Sequence, residues 1–91
     1  RVLAASAVFI AIGMRPYTAF LEGDMETDGG GYIVADAMGR TTMPGVFAAG
    51  DVRTKELRQV VTAVADGANC AQSASEFLEA KEAIEEAPSA V

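Results

Sequence analysis

The chain lacks the residues and motifs on which several kinds of redox and nucleotide site depend. It has one cysteine, Cys70, so neither an internal disulphide nor a pair of thiols that exchange electrons is available. Neither a C-x-x-C motif nor a G-x-G-x-x-G fingerprint occurs in the sequence. The four methionines are scattered and do not have the spacing of a metal site. We therefore assign no catalytic residue and no metal ligand to these 91 residues.

Basic charge and long apolar runs are also scarce. Seven basic residues against thirteen acidic ones, with no histidine, give a net charge of −6, which argues against nucleic acid or an anionic membrane as a partner. No run of about 18 apolar residues occurs, so we expect no membrane span. The apolar start, residues 1–12, reads as a core strand rather than a signal peptide. The single cysteine fits a reducing compartment, and we expect a cytoplasmic location.

The most informative segment is G-V-F-A-A-G-D-V-R-T, residues 45–54. A short apolar run ends at Gly50, Asp51 follows, and a helical pattern opens a few residues later. This order places a carboxylate and the free N–H groups of a helix start at the carboxyl end of a buried strand, where open α/β sheets bind ligands. From the local pattern alone, Asp51 could instead be a turn residue, and Arg58 and Gln59 ordinary residues of a first helical turn.

The hydrophobic pattern predicts an α/β fold with a small sheet and one long C-terminal helix. Strands are expected at residues 7–12, 32–36 and 46–49, with a turn at Pro44-Gly45. The helix is expected from about Arg58 to about Glu82. The tail, residues 87–91, is expected to fray because acidic residues at a helix C-terminus oppose the helix dipole.

Three features of the predicted helix carry further expectations: its cysteine, its acidic residues and its apolar stripe. Cys70, among small residues, is expected to be a small buried side chain. The six acids after Arg58 are expected on a solvated helix face and tail. The apolar stripe consists of Val60, Val64, Ala68, Ala71, Ala74 or Ser75, and Leu78.

Five motifs occur in order between residues 8 and 68. They are V-F-I-A-I-G-M-R-P (8–16), T-x-x-L-E-G (18–23), G-Y-I-V-x-D (31–36), T-x-x-P-G-V-F-A-A-G-D-V-R (41–53) and L-R-Q-V-V-T-A-x-x-D-G-A (57–68). Together they resemble the C-terminal segment of low-molecular-weight thioredoxin reductases. The resemblance implies that residues 7–14 are the last strand of an NADPH domain and a crossover. It also implies that residues 15–86 complete an FAD-binding, Rossmann-like lobe.

The resemblance also implies the cofactor-binding residues. The Gly50-Asp51 pair carries the carboxylate that binds the ribitol of FAD, and Arg58, Gln59 and Val60 lie at a helix start against the flavin ring. In that family, electrons pass from NADPH to FAD, to a cysteine pair and then to thioredoxin. A helix N-terminus suits a reduced flavin, which carries negative charge.

Large parts of that family's pattern are missing from this chain. We therefore expect a fragment that holds no FAD stably, is inactive alone and self-associates through exposed apolar surface. Two alternatives stay open. One is a segment of a flavoprotein that reduces a peroxiredoxin partner, and the other is a non-catalytic, oligomeric packing module.

Overall fold

One long helix dominates the fold. The structure, a computed structural model, describes residues 1–21 and 23–86. Helix α1 spans Val60–Glu86, and a single 3₁₀ turn covers Ala19–Leu21. The predicted helix is confirmed, and it continues past Glu82 because Ala and Glu, which make up most of residues 83–86, are good helix formers. The predicted frayed tail, residues 87–91, lies outside the described residues.

The predicted three-stranded sheet is not found in the part of the chain that the structure describes. Pairing there is limited to isolated bridges: Thr27 with Ile33 (antiparallel), Ile33 with Arg53 (parallel), and Arg40 with Phe47 (antiparallel). Ile33 is the central member, since its N–H donates to Val52 O at 2.9 Å and its carbonyl accepts from Thr54 N at 2.8 Å. The expected strands at 32–36 and 46–49 are thus reduced to single paired positions.

The expected strand at residues 7–12 has no partner. Across residues 1–21 and 23–86, no main-chain hydrogen bond joins residues 1–17 to the rest. Phe9 and Ile12 are each 93% exposed. The radius of gyration is 19.3 Å, against about 12 Å for a compact chain of this length. A strand forms only where a neighbour accepts and donates its backbone hydrogen bonds, and this segment lies clear of the remainder.

Tight turns shape the segment from residue 26 to residue 48. Asp28 Oδ1 accepts from Gly30 N at 2.9 Å and from Tyr32 N at 3.0 Å, and Asp36 Oδ1 accepts from Met38 N and Arg40 N at 2.9 and 3.0 Å. An aspartate side chain that binds the backbone ahead of it substitutes for ladder hydrogen bonds. These carboxylates therefore bend the chain at both ends of the expected strand at 32–36.

The predicted Pro44-Gly45 turn is confirmed. Val46 N donates to Met43 O at 3.1 Å, and Gly45 has a φ of +84°. Proline at the first central position and glycine at the second are the residues that a type II turn requires.

The loop layer packs on a polar, small-residue face of α1. Ser73 Oγ donates to Met38 O at 2.7 Å, Asn69 Nδ2 to Ala37 O at 3.3 Å, and Cys70 Sγ to Ala48 O at 3.3 Å. Phe77 meets Phe47 edge-on, with ring centroids 6.4 Å apart. Directed hydrogen bonds to loop carbonyls, rather than a broad apolar contact, hold the two layers together.

The predicted apolar stripe of α1 points away from this contact. Val60, Val64 and Leu78 are 82%, 68% and 56% exposed. Among the described residues, Ile33 and Ala48 are the only hydrophobic side chains that are buried. The exposure of this stripe agrees with the exposed apolar surface expected from the sequence, and the face of α1 that packs within this chain is the opposite one.

Candidate functional site

The Gly50-Asp51 turn is held in place from the helix side. Gly50 has a φ of +86°, a left-handed conformation that L-residues rarely adopt. Its N–H donates to Asp66 Oδ2 on α1 at 2.9 Å. The next residue, Asp51, is exposed. The turn therefore presents the Asp51 side chain outward while its own backbone is fixed to the helix.

Arg58 holds the same turn from its other side. Its Nε donates to Asp51 O and its Nη2 to Arg53 O, both at 3.1 Å. The guanidinium carbon lies 3.8 Å from the centroid of the Tyr32 ring, which is a cation–π contact. A rigid, multiply bonded guanidinium thus connects the turn, the segment leading to α1 and an aromatic wall.

Asp51 and Arg58 share one open cleft of about 370 Å³. Within residues 1–21 and 23–86, no side chain or backbone group donates a hydrogen bond to the Asp51 carboxylate. This carboxylate is therefore a free, negatively charged acceptor in the cleft. The other lining residues are Met14, Arg15, Pro16, Tyr17, Tyr32 and Val52.

Gln59 and Val60 lie at the start of α1 and do not line this cleft. Gln59 is the N-cap: its carbonyl accepts the first helical bond from Ala63 N at 3.0 Å. Its N–H donates to Thr62 Oγ1 at 3.0 Å, so Thr62 reaches back as the third helical residue of a capping box does. Of the predicted site residues, the structure therefore brings Gly50, Asp51 and Arg58 together and places Gln59 and Val60 beside them along the chain.

Asp66 is the residue that sequence reasoning missed. We expected it on a solvated helix face, yet it is only 7% exposed. Its Oδ1 accepts from Arg53 Nη1 at 3.0 Å, and its Oδ2 lies 2.5 Å from Lys55 Nζ in addition to accepting from Gly50 N. A signal was present: Arg53 and Asp66 both fall inside the quoted motifs, and Asp66 lies among the small residues of the helix.

The charges in this cluster favour an ionised Asp66. The Lys55 ammonium beside it, with the Gly50 N–H and Arg53, holds the pKa of the carboxyl below its ordinary value of 3.8, against the opposing effect of desolvation. Arg53 Nε and Lys55 Nζ are shielded from water and make no directed hydrogen bond within the described residues. Arg53 Nη2 also donates to the Asp36 carbonyl at 3.0 Å, but among the described residues Asp66 is the only carboxylate that pairs with either cation.

Cys70 lies just beyond the cluster and is half-buried. Burial, and then the charge of Asp66, raise the pKa of its thiol. Its sulfur packs so closely on Gly39 that a Cβ there would overlap it. This environment agrees with a small packing side chain and disfavours the thiolate.

The family is shown by sequence. The model of the pyridine nucleotide-disulphide oxidoreductases matches residues 1–67. The chain belongs to the pyridine nucleotide-disulphide oxidoreductase family. It is 52% identical to the thioredoxin reductase of Treponema pallidum over 79 residues, which is 87% of this chain and 25% of that protein. It is 50% identical to the thioredoxin reductase of Listeria innocua over 86 residues, which is 92% of this chain and 27% of that protein.

Solved structures of this oxidoreductase family also match the chain in fold. Lactococcus lactis thioredoxin reductase (FR conformation) matches with a TM-score of 0.72 at 47% identity, covering 77% of this chain and 23% of that one. Streptococcus pyogenes thioredoxin reductase matches with a TM-score of 0.71 at 48% identity, covering 86% and 26%. The resemblance to thioredoxin reductases is confirmed, and the fold is that of part of a Rossmann-like lobe.

The chain spans about a quarter of the length of the relatives it matches. Among the helices that the structure describes, α1 included, none combines the length and apolarity needed to cross a bilayer.

Proposed function

We propose that this chain is the part of an NADPH-dependent thioredoxin-disulphide reductase that holds the ribitol side of FAD. The observation that carries the proposal is the Asp51 carboxylate, which is exposed, unpaired among the described residues and carried on a turn fixed from both sides. The names of the matched relatives supply the substrate class. The boundaries expected from the sequence, residues 7–14 for the end of an NADPH domain and 15–86 for the FAD lobe, belong to the same proposal.

The residues of the cleft fit the flavin nucleotide. A polyol offers hydroxyl donors, and the ionised carboxylate of Asp51 accepts such bonds with more energy than a neutral group does. Pro16, Tyr17 and Tyr32 give the cleft apolar and aromatic walls. A few polar groups, among them a free carboxylate, within largely apolar walls are the usual composition of a cofactor pocket.

The chemistry that FAD supplies when bound is two-electron transfer between NADPH and a disulphide. This chain contributes binding and electrostatics. The Asp51 carboxylate would accept hydrogen bonds from the ribitol hydroxyls, while Arg58 fixes the Asp51 backbone and adds positive charge. Gln59 and Val60 lie at the N-terminus of α1, whose partial positive charge and unpaired N–H groups would favour the negative charge of a reduced flavin bound nearby.

The Asp51 assignment is tested by titrating FAD into the apo-form of the complete protein that carries this segment. Asp51→Ala removes hydrogen bonds to a charged group, so binding is expected to weaken roughly ten- to hundredfold. Asp24→Ala is the matched control, because Asp24 is another exposed loop aspartate and does not line the cleft. Unchanged affinity in Asp51→Ala would show that the ribitol site lies elsewhere.

Exposed apolar side chains support self-association of the 91-residue chain, and the lack of a cysteine pair supports its inactivity alone. Phe9, Ile12, Val60 and Val64 are each at least 68% exposed, and such surface normally lies against another part of a protein. We expect the 91-residue chain to self-associate and to leave NADPH unoxidised when FAD and thioredoxin are added. Sedimentation at several concentrations and NADPH absorbance measure the two properties. A monomer at high concentration contradicts the first, and steady protein-dependent oxidation contradicts the second.

A further inference from the structure

Asp66 contacts the turn-bearing segment at three points that flank Asp51. It accepts from Gly50 N at 2.9 Å on one side, and it meets Arg53 Nη1 at 3.0 Å and Lys55 Nζ at 2.5 Å on the other. The segment from residue 50 to residue 55 therefore folds around one carboxylate. Within this segment, the Asp51 side chain is exposed.

The negative charge of Asp66, and not only its shape, is needed in this arrangement. The side chains of Asp66, Arg53 and Lys55 are only 9%, 10% and 5% exposed. An asparagine amide has a single acceptor oxygen, while its NH₂ group faces cations it cannot bind. Asp66→Asn would thus leave buried positive charge uncompensated and make the anchor of Gly50 a neutral one.

Asp66 does not line the cleft, so any influence on a ligand there passes through Asp51. Arg58 donates to the Asp51 carbonyl. The N–H of Gly50, the residue before Asp51, has Asp66 as its only acceptor among the described residues. The Gly50 carbonyl also accepts from Arg53 N, but at 3.4 Å, so loss of the Asp66 anchor leaves only this long turn bond to restrain a residue that has no side chain. The orientation of the Asp51 carboxylate is then no longer set before the ligand arrives.

We propose that Asp66 is a positioning residue of the flavin site: its buried charge fixes the Gly50-Asp51 turn so that the Asp51 carboxylate meets the ribitol hydroxyls already oriented. This inference rests on the proposed function, since it assigns Asp66 a role only if Asp51 binds FAD. It also gives the ion cluster of Asp66, Arg53 and Lys55 a role that fold stabilisation alone does not require.

The test is a double-mutant cycle on FAD affinity in the complete apo-protein at pH 7. Asp66→Asn alone is expected to weaken FAD binding about tenfold, the difference between a charged and a neutral hydrogen-bonded anchor. In an Asp51→Ala background, the same change is expected to weaken binding less than about twofold, because groups that act through one another are not additive. Circular dichroism establishes that each variant is folded.

Asp36→Asn is the matched control. Asp36 also accepts two backbone N–H bonds and pairs with an arginine, Arg40, but among the described residues its carboxylate forms no hydrogen bond or ion pair with residues 50–55. Its backbone carbonyl, which accepts from Arg53 Nη2 at 3.0 Å, is unchanged by the substitution. Its substitution is expected to leave FAD affinity unchanged. If Asp36→Asn weakens binding as much as Asp66→Asn does, loss of a carboxylate anywhere in the lobe explains the effect and the proposal is wrong.

Should Asp66→Asn not fold, the triple variant Arg53→Met, Lys55→Met, Asp66→Asn removes the stranded cations, and apolar replacement of a buried ion cluster is usually tolerated. It is expected to show the same tenfold loss, again absent in the Asp51→Ala background. An equal loss in both backgrounds, or no loss, overturns the positioning role. If Asp51→Ala itself leaves affinity intact, the proposed function fails instead, so the two failures are distinguishable.

Discussion

The two faces of α1 differ in a way that reverses the usual amphipathic helix. The face that meets the loop layer carries Asp66, Cys70 and Ser73, and each of them binds a backbone group of the loops. The opposite face carries Val60, Val64 and Leu78, all more than half exposed. In a helix of a self-contained domain, the apolar stripe faces the core and the polar residues face water.

This reversal shows what each face is suited for. The polar face positions loops through directed bonds, which fix geometry more closely than apolar contact does. The apolar face offers hydrophobic surface without hydrogen-bonding groups, and such surface suits contact with a further layer of protein. We infer that the site depends on the first face and that association depends on the second.

The largest effect on stability is expected when a charged side chain is introduced on the apolar face of α1. In the complete protein, Val64→Asp is expected to lower the free energy of unfolding by about 3 kcal/mol, because an unpaired carboxylate would be buried there. Val64→Thr, which keeps the side-chain shape, is the control and is expected to cost about 1 kcal/mol. Denaturant unfolding measures both variants. If the two variants unfold alike, the face stays in water and the inferred division of roles is wrong.

The polar face is tested where the loop layer approaches it most closely. Gly39 has a φ of +81°, and a Cβ there would overlap Cys70 Sγ and lie 3.1 Å from Ala48 O. Gly39→Ala is expected to cost about 3 kcal/mol, from backbone strain together with the displaced helix contact. Gly23→Ala, at a φ of +85° but with space left open by the described residues, isolates the strain and is expected to cost about 1 kcal/mol. Equal losses would show that α1 and the loops are not tightly packed.

Sequence patterns predicted the elements that short-range physics controls. The 3.6-residue period of the apolar residues predicted α1, and the Pro44-Gly45 pair predicted a turn. Both elements depend on neighbours only a few residues away. The Gly50-Asp51 turn was likewise recognised from its own residues. The resemblance to thioredoxin reductases came from motif order, which reports ancestry directly.

Patterns failed where partners distant in sequence decide the outcome. An apolar run predicts a strand only if another segment pairs with it, and residues 7–12 have no such partner within the described chain. The role of Asp66 depends on Gly50, Arg53 and Lys55 reaching one carboxylate, which no local period encodes. For the same reason, the exposed apolar stripe of α1 was predicted, but the polar face of α1 that binds the loops was not.

The charge of Asp66 gives the polar face a pH dependence. Its pKa is lowered in the folded state, so its contribution to stability is present above the unfolded value of 3.8 and is lost as the pH falls through the lowered folded value. Asp66→Asn is expected to lower stability at pH 7 by about 2 kcal/mol and to flatten the decline below pH 3.8. Urea unfolding between pH 2 and pH 7 measures both effects. If Asp66→Asn loses stability below pH 3.8 as steeply as the unsubstituted protein does, carboxyls other than Asp66 cause that loss.

The smallest effect is expected at Cys70, where the polar face contacts the loops through one soft atom. Cys70→Ala removes a weak thiol bond to Ala48 O and the sulfur packed on Gly39, so stability is expected to fall by less than about 1 kcal/mol. Because burial raises the pKa of this thiol, its thiolate is scarce near neutral pH, and iodoacetamide is expected to label it more slowly in the folded protein than in urea. Mass spectrometry follows the labelling. Faster labelling in the folded state, or loss of FAD-dependent turnover in Cys70→Ala with FAD still bound, would mean that this face carries a reactive thiol and not only a packing one.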